Sequence, residues 1–114
     1  MLAGLTDWEQ EKGFETMKNL GKINGCYMTH GVNELCSQHP TFALGVLEKL
    51  QSFMHNDWGV LCEEDKEVNE EALVNGDRIF GSYIVDETKI WIIAEAKNEY
   101  DEREAVTVLL PEEY

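Results

Sequence analysis

The sequence predicts an α+β fold in which N-terminal helices pack on a C-terminal three-stranded antiparallel sheet. Apolar residues recur at helical spacing before Gly76, and β-rich runs follow it. These runs read RIFGSYIV, KIWIIAEA and AVTVLL, and the first two flank DETK, which is typical of a tight hairpin connection. The 114 residues, 43% of them apolar, suffice for one ordinary core, so we expect residues 1–114 to form a single domain.

The first 37 residues predict weak elements. TDWE at residues 6–9 fits a helix-opening capping box, but the apolar positions that follow are sparse and Gly13 interrupts them. We therefore expect residues 1–19 to form a loosely docked N-terminal helix, with its helical part at 7–19. Residues 19–28 contain two glycines and predict a connector or a short edge strand, and a short helix is expected over 31–37.

The clearest helix in the sequence begins after Pro40. Thr41 is its expected N-cap. Apolar side chains then recur at helical spacing, and we expect them to face the core: Phe42, Val46, Leu47, Leu50, Phe53 and Met54. At the other end of the chain, Pro111 should stop the last strand, and the final PEEY is expected to be structural, with Tyr114 covering the edge of the core.

A further helix is predicted over residues 61–75, ending at Asn75-Gly76. Its N-terminal carboxylates favour the positive end of the helix dipole. At 100° per residue, Leu61, Val68 and Ala72 fall on one side, which we expect to face the core. Carboxylates occupy the opposite, solvent-facing side: Glu63, Glu67, Glu70 and Glu71.

Two polar residues, Asp65 and Asn69, lie in the middle of the predicted apolar side, where an unpaired carboxylate would be costly. The sequence therefore predicts a structural polar network of Asp65, Asn69, Arg78 and Trp58, with Arg78 as the salt-bridge partner and the Trp58 indole or the 57–59 turn as a second anchor. The competing interpretation is that Asp65 is a general acid or base or belongs to a metal site. Buried paired polar groups in small domains are usually architectural, which favours the network.

The sequence predicts no catalytic residue, metal site or cofactor. Two sets of potential metal ligands occur, but neither has CxxC or HxxxH spacing: His30, Cys36 and His39, and His55, Asp57 and Cys62. There is also no GxSxG motif and no glycine-rich phosphate loop after a strand. An odd number of cysteines and no charged-then-apolar leader predict a cytoplasmic protein. The longest apolar run, IWIIA, is far shorter than the roughly 20 residues that span a bilayer, so no membrane association is expected.

Charge is the outlying property of the chain. The formal net charge is −14, and residues 56–114 carry 17 acids and 5 bases, a net of −12. Such a field repels nucleic acid and membrane surfaces and speeds association with basic surfaces. The sequence thus predicts a basic protein surface as the partner and excludes direct nucleic-acid binding.

The C-terminal two-thirds, from about residue 20 to residue 114, carry a combination of motifs: DWG at 57–59, Glu64-Asp65, Asn69, Arg78, KIWII and the terminal LLPEEY. In combination these motifs resemble a family of short, largely uncharacterised proteins carried by plasmids, integrative elements and phages of bacteria. The family has a Thr-rich segment before its final strand, whereas this chain has the acidic KNEYDERE at residues 97–104.

The resemblance implies a genetic setting in which small acidic proteins disarm host defence, as anti-CRISPR and antirestriction proteins do, often by imitating the charge of DNA. We therefore expect a non-catalytic inhibitor that binds the basic groove of a host-defence nuclease, such as the CRISPR effector Cas9. The alternatives are a mobile-element interaction or scaffold protein and a small hydrolase using Asp65. The expected partner-binding residues are Glu63, Glu64, Glu67, Glu70, Glu71, Glu99, Asp101, Glu102 and Glu104.

Overall fold

The computed structural model describes residues 20–114, and the helix expected over 7–19 lies outside them. The elements follow one another as β1 (Lys22–Ile23), β2 (Cys26–Met28), α1 (His30–Gln38), α2 (Pro40–Met54), α3 (Glu63–Asn75), β3 (Ile79–Val85), β4 (Thr88–Ala94), β5 (Glu102–Arg103) and β6 (Val106–Leu109), with a final 3₁₀ turn at Pro111–Glu113. The α+β class predicted from the sequence is confirmed, with three helices within residues 20–114 that precede the β3–β4 hairpin.

The main sheet has four strands in the order β2-β6-β4-β3. Strands β3, β4 and β6 form the predicted antiparallel meander. The prediction of a purely antiparallel three-stranded sheet is wrong, because β2 adds a parallel strand beside β6. Three residues are too few to show strand periodicity, so the sequence offered β2 only as one of two alternatives. A separate parallel pair joins β1 and β5, and β5 lies within the acidic KNEYDERE segment.

One face of the sheet packs against α2 and encloses the core. Phe42, Val46 and Phe53 of α2 are buried there, together with the apolar residues of alternate positions on β3, β4 and β6. Leu47, expected in the core, is 52% exposed, because the buried stripe of α2 is narrower than its apolar pattern. Thr41 is not the N-cap: His39 holds that position, and the Thr41 hydroxyl donates instead to Asp86 in the β3–β4 turn.

Helix α3 ends as predicted, with Gly76 in the left-handed conformation at φ 79°. Its orientation differs from the prediction. Asn69, Ala72 and Leu73 are the buried residues, while Val68 is 59% exposed and Asp65 is exposed. The helix carries too few apolar residues to fix its rotation by pattern alone, so the polar contacts of Asn69 decide which side faces the sheet.

Arg103 is fully buried and joins three separate segments. Its Nε donates to the carbonyl of Leu20 at 2.8 Å, and its Nη1 donates to the carbonyls of Asp77 and Glu95, each at 2.7 Å. Burial lowers the pKa of the guanidinium, and the negative charges of Asp77 and Asp101 oppose that shift. The start of β1, the α3–β3 corner and the end of β4 are therefore held by one side chain.

The last residues of the chain cap the first helix. The carboxylate of Glu113 accepts hydrogen bonds from the Thr29 hydroxyl, from the Gly31 N–H at 2.7 Å and from the Leu110 N–H at 3.0 Å. The Thr29 bond is the main cause that lowers the pKa of Glu113, and the backbone N–H groups add to it against the opposing effect of burial. Thr29 is the N-cap of α1, so the terminal PEEY holds the start of that helix through Glu113. Tyr114, expected to cover the edge of the core, is 70% exposed and its ring meets Trp91 edge-on.

Arg103→Met should lower the free energy of unfolding by about 3 kcal/mol or more, because three carbonyls lose their donors and each buried unsatisfied acceptor costs roughly 1–3 kcal/mol. Urea unfolding at neutral pH measures the difference. Lys89→Met is the matched control, since it removes one positive charge from an exposed strand position. Equal losses in the two variants would contradict the structural role of Arg103.

Glu113→Gln should lower the melting temperature at neutral pH, and its difference from the wild type should shrink in acid. Because the folded-state pKa of Glu113 lies below the ordinary value of about 4.3, the carboxylate stabilises the fold above that value. This stabilisation is lost as the pH falls through the lowered pKa. Melting curves recorded from neutral pH to about pH 2 test this, with exposed Glu112→Gln as control; a difference that does not change with pH contradicts it.

Candidate protein-binding surface

The Asp57-Trp58-Gly59 turn connects α2 to α3 and docks on the sheet. The Asp57 carboxylate accepts the Gly59 N–H at 3.1 Å, and the Tyr83 hydroxyl donates to the Asp57 carbonyl at 2.6 Å. Gly59 has φ 79°, and a Cβ there would collide with the Ser82 carbonyl, so only glycine fits. Trp58 is buried, and its ring meets Phe53 edge-on at a centroid distance of 5.5 Å. The turn is therefore an architectural element.

The outer edge of β3 is covered by this turn and by α3. The Ser82 N–H donates to the Trp58 carbonyl at 3.1 Å, and the Ser82 carbonyl accepts the Val60 N–H at 2.7 Å. Two residues earlier, the Asn69 side chain donates to the Phe80 carbonyl at 2.7 Å and accepts the Phe80 N–H at 3.2 Å. The amide of Asn69 thus takes the place of a neighbouring strand's peptide group.

The polar network predicted from the sequence is not one network. Asn69 makes the expected bond to the strand, but Asp65 is exposed and forms no ion pair with Arg78 in the described part of the chain. Arg78 is also exposed: its Nη1 donates to the Tyr114 hydroxyl at 3.0 Å and its guanidinium lies 5.4 Å from that ring's centroid. Trp58 donates its indole N–H to Glu70 at 3.1 Å. The rotation of α3 is the reason, because it carries Asp65 away from the core.

A groove of about 290 Å³ lies between α3 and the outer face of the sheet. Its aromatic side chains meet edge to face, with centroid distances of 5.1 Å for Phe80–Trp91 and 5.8 Å for Trp91–Tyr114. The remaining lining side chains come from both sides of the groove: Leu61, Asp65, Val68, Asn69, Arg78 and Ile93. We call this site the aromatic groove.

The aromatic groove was not predicted from the sequence, although the apolar pattern of two strands indicates it. On β3 and β4, large apolar residues occupy both alternating faces: Phe80, Trp91 and Ile93 lie opposite the core-facing positions. A strand with one solvated face would alternate apolar and polar residues. Apolar residues on both faces indicate that the outer face also needs cover, and α3 supplies only part of it.

The expected partner-binding carboxylates lie in two segments that meet at one corner. Helix α3 carries six acids and one lysine, and the Lys97 N–H donates to the Gly76 carbonyl at 2.7 Å, which places the loop at 97–104 against the end of α3. We define the acidic strip as those expected partner-binding carboxylates of the two segments that are exposed: Glu63, Glu64, Glu67, Glu70, Glu71, Glu99, Asp101 and Glu104.

Glu102 does not belong to this exposed set, contrary to the prediction. It is half-buried in β5, where it accepts from Asn24 at 3.1 Å and pairs with Lys22 at 3.3 Å. These two contacts lower the pKa of Glu102, the Asn24 bond most. Within the strip, Asp101 pairs with Lys97 at 3.3 Å, and Glu63 lies 3.8 Å from Lys66. Only these two lysines pair with the eight carboxylates of the strip among residues 20–114, so the strip stays strongly negative.

Residues 20–114 contain no group of three or more His, Cys, Asp or Glu side chains placed to hold a metal ion. None of the helices in this range has the length and apolar character needed to cross a lipid bilayer. The cysteines Cys26, Cys36 and Cys62 are all unpaired. Comparison of the chain with protein-family models, with curated proteins and with solved structures gave no match.

Asn69→Asp should destabilise the protein at neutral pH by about 1–3 kcal/mol, because a carboxylate cannot donate to the Phe80 carbonyl. The loss should diminish in acid, since a protonated carboxyl regains one donor and burial raises the pKa of a carboxyl at this position. Denaturant unfolding at neutral pH and near pH 3 measures both effects. Asn33→Asp, on an exposed helical position, is the control. Equal stability of the Asn69→Asp variant and the wild type at neutral pH would show that the Asn69 bond is unimportant.

Proposed function

We propose that this protein is a non-catalytic inhibitor that occupies the basic nucleic-acid groove of a host-defence nuclease, a CRISPR effector such as Cas9 or a restriction enzyme. The observation that carries the proposal is the acidic strip, in which two exposed acidic segments adjoin at Gly76 and Lys97. The resemblance of the motifs to proteins of plasmids and phages supports the same assignment.

The charge density of α3 suits this role. Its 13 residues rise about 20 Å at 1.5 Å each. Its six carboxylates and one lysine leave a net charge of −5 over that length, or one net negative charge per roughly 4 Å, comparable with one strand of DNA, which carries one phosphate per about 3.4 Å of axis. A groove built to bind a phosphate backbone would therefore meet a similar linear charge on this helix.

The acidic strip is fixed to the rest of the domain, which helps it to compete with a nucleic acid for a basic groove. Arg103 fixes the loop at 97–104 from inside, and Asn69 and Glu70 fix α3 to the edge of β3 and to Trp58. Carboxylates held in place lose less conformational entropy on binding than carboxylates on a free tail. An acidic domain with this geometry therefore gains more affinity from the same charges.

Replacement of Glu63, Glu67 and Glu71 by Lys should weaken inhibition of the target nuclease by at least about 100-fold, because like charges placed opposite each other at an interface cost several kcal/mol. Glu70 is left unchanged, since its bond to Trp58 belongs to the fold. The measurement is the inhibition of DNA cleavage by a nuclease recovered from the host, at about 0.15 M salt.

The matched control replaces three exposed carboxylates away from the strip by Lys, namely Glu34, Glu48 and Glu87. It changes the net charge by the same amount, and melting curves must first establish that both variants fold. A loss confined to the strip variant supports the proposal. Equal losses would mean that net charge alone acts, and undiminished inhibition by the strip variant would overturn the charge-mimic mechanism.

A further inference from the structure

The aromatic groove leaves apolar surface uncovered next to the acidic strip. Val68, on its α3 side, is 59% exposed, and Trp91 and Phe80 on the sheet are only half-buried. Apolar side chains of this size are normally covered by other parts of the protein. An apolar recess with polar surroundings is typical of a binding site. The groove therefore offers a contact that charge alone does not explain.

The size of the groove suits a single side chain. Its volume of about 290 Å³ lies at the lower limit of the roughly 300–1,000 Å³ found for small-molecule pockets. Phe80, Trp91 and Tyr114 already form an edge-to-face series. An incoming aromatic ring extends such a series at a centroid distance of about 4.5–7 Å, whereas an aliphatic chain gains only contact area.

The charges around the groove decide what should flank that ring. Asp65 lines the groove, is exposed, and has no ion-pair partner in residues 20–114, and Glu64 of the acidic strip precedes it. Among residues 20–114, Arg78 is the one basic residue lining the groove, and it is engaged with the hydroxyl and the ring of Tyr114. The side of the groove next to α3 is therefore negative and open to a cation.

We propose that the aromatic groove binds one aromatic side chain from a basic segment of the partner protein, with a flanking Lys or Arg paired to Asp65. The inference rests on the proposed function for the basic character of the partner. In this arrangement the strip attracts the partner at long range, and the groove supplies the buried contact that slows dissociation.

The experiment uses the full chain and two short peptides, acetyl-Lys-Lys-Phe-Lys-Lys-amide and the same sequence with Ala in place of Phe. The Trp91 indole N–H signal in a ¹⁵N NMR spectrum, assigned with a Trp91→Phe variant, reports binding in the groove. We expect the Phe peptide to shift this signal and to bind at least about 10-fold more tightly than the Ala peptide. Equal affinities of the two peptides would overturn the proposal.

Two substitutions on α3 locate the effect. Val68→Trp fills the groove from an exposed position and should reduce affinity for the Phe peptide by about 10-fold or more, while Val74→Trp, also exposed but outside the groove, should leave it unchanged. Asp65→Asn should weaken binding of the Phe peptide and reduce the salt dependence of that binding. Equal behaviour of the two Trp variants contradicts the assigned site.

The groove and the proposed function can fail separately. If nuclease inhibition is lost in the strip variant but retained in Val68→Trp, the groove is not used and the proposed function stands. If the Phe peptide binds in the groove and no nuclease is inhibited, the groove is real and the proposed function is wrong. Loss of inhibition in both variants, with Val74→Trp active, supports both.

Discussion

The buried guanidinium of Arg103 is the constraint on which the arrangement of the C-terminal half depends. A charge in the interior is costly unless its hydrogen bonds are satisfied. The carbonyls of Leu20, Asp77 and Glu95 accept from its Nε and Nη1, while its buried Nη2 has no hydrogen-bond partner among residues 20–114. Those carbonyls belong to three segments that are distant in sequence, so one side chain joins them and sets the position of the acidic loop relative to α3.

The outer edge of β3 would be exposed without α3, and this explains why an acidic helix docks on the sheet. Free strand edges invite pairing with other chains, and proteins cover them. Here the cover is made by single polar groups: the Asn69 amide at Phe80 and the Trp58–Val60 backbone at Ser82. Because these bonds fix α3 without a broad apolar stripe, most of its surface is left for carboxylates.

Local sequence signals predicted the parts of this fold that local chemistry determines. The end of α3 at Gly76, the β3–β4 hairpin and the polar anchoring of Asn69 follow from nearby residues. Long-range partners were not predictable: nothing near Arg103 in an acidic stretch indicates that it is buried, and nothing in PEEY points to the N-terminus of α1. The predicted orientation of α3 about its axis was wrong for a related reason. Because the helix has few apolar residues, a small error in the assigned helical phase placed Val68 and Asp65 in the core, whereas both are at the surface.

The position of Glu70 shows how this fold tolerates many carboxylates on one helix. Carboxylates close together on one helix repel one another, and the repulsion opposes folding. The first-turn acids are offset by the helix dipole, and Glu70, further along, is offset by the Trp58 indole. The remaining carboxylates keep their mutual repulsion in the free protein, and a basic partner would relieve it. Charge that weakens the isolated fold would therefore add to the driving force for binding a basic partner, which is the partner that the proposed function requires.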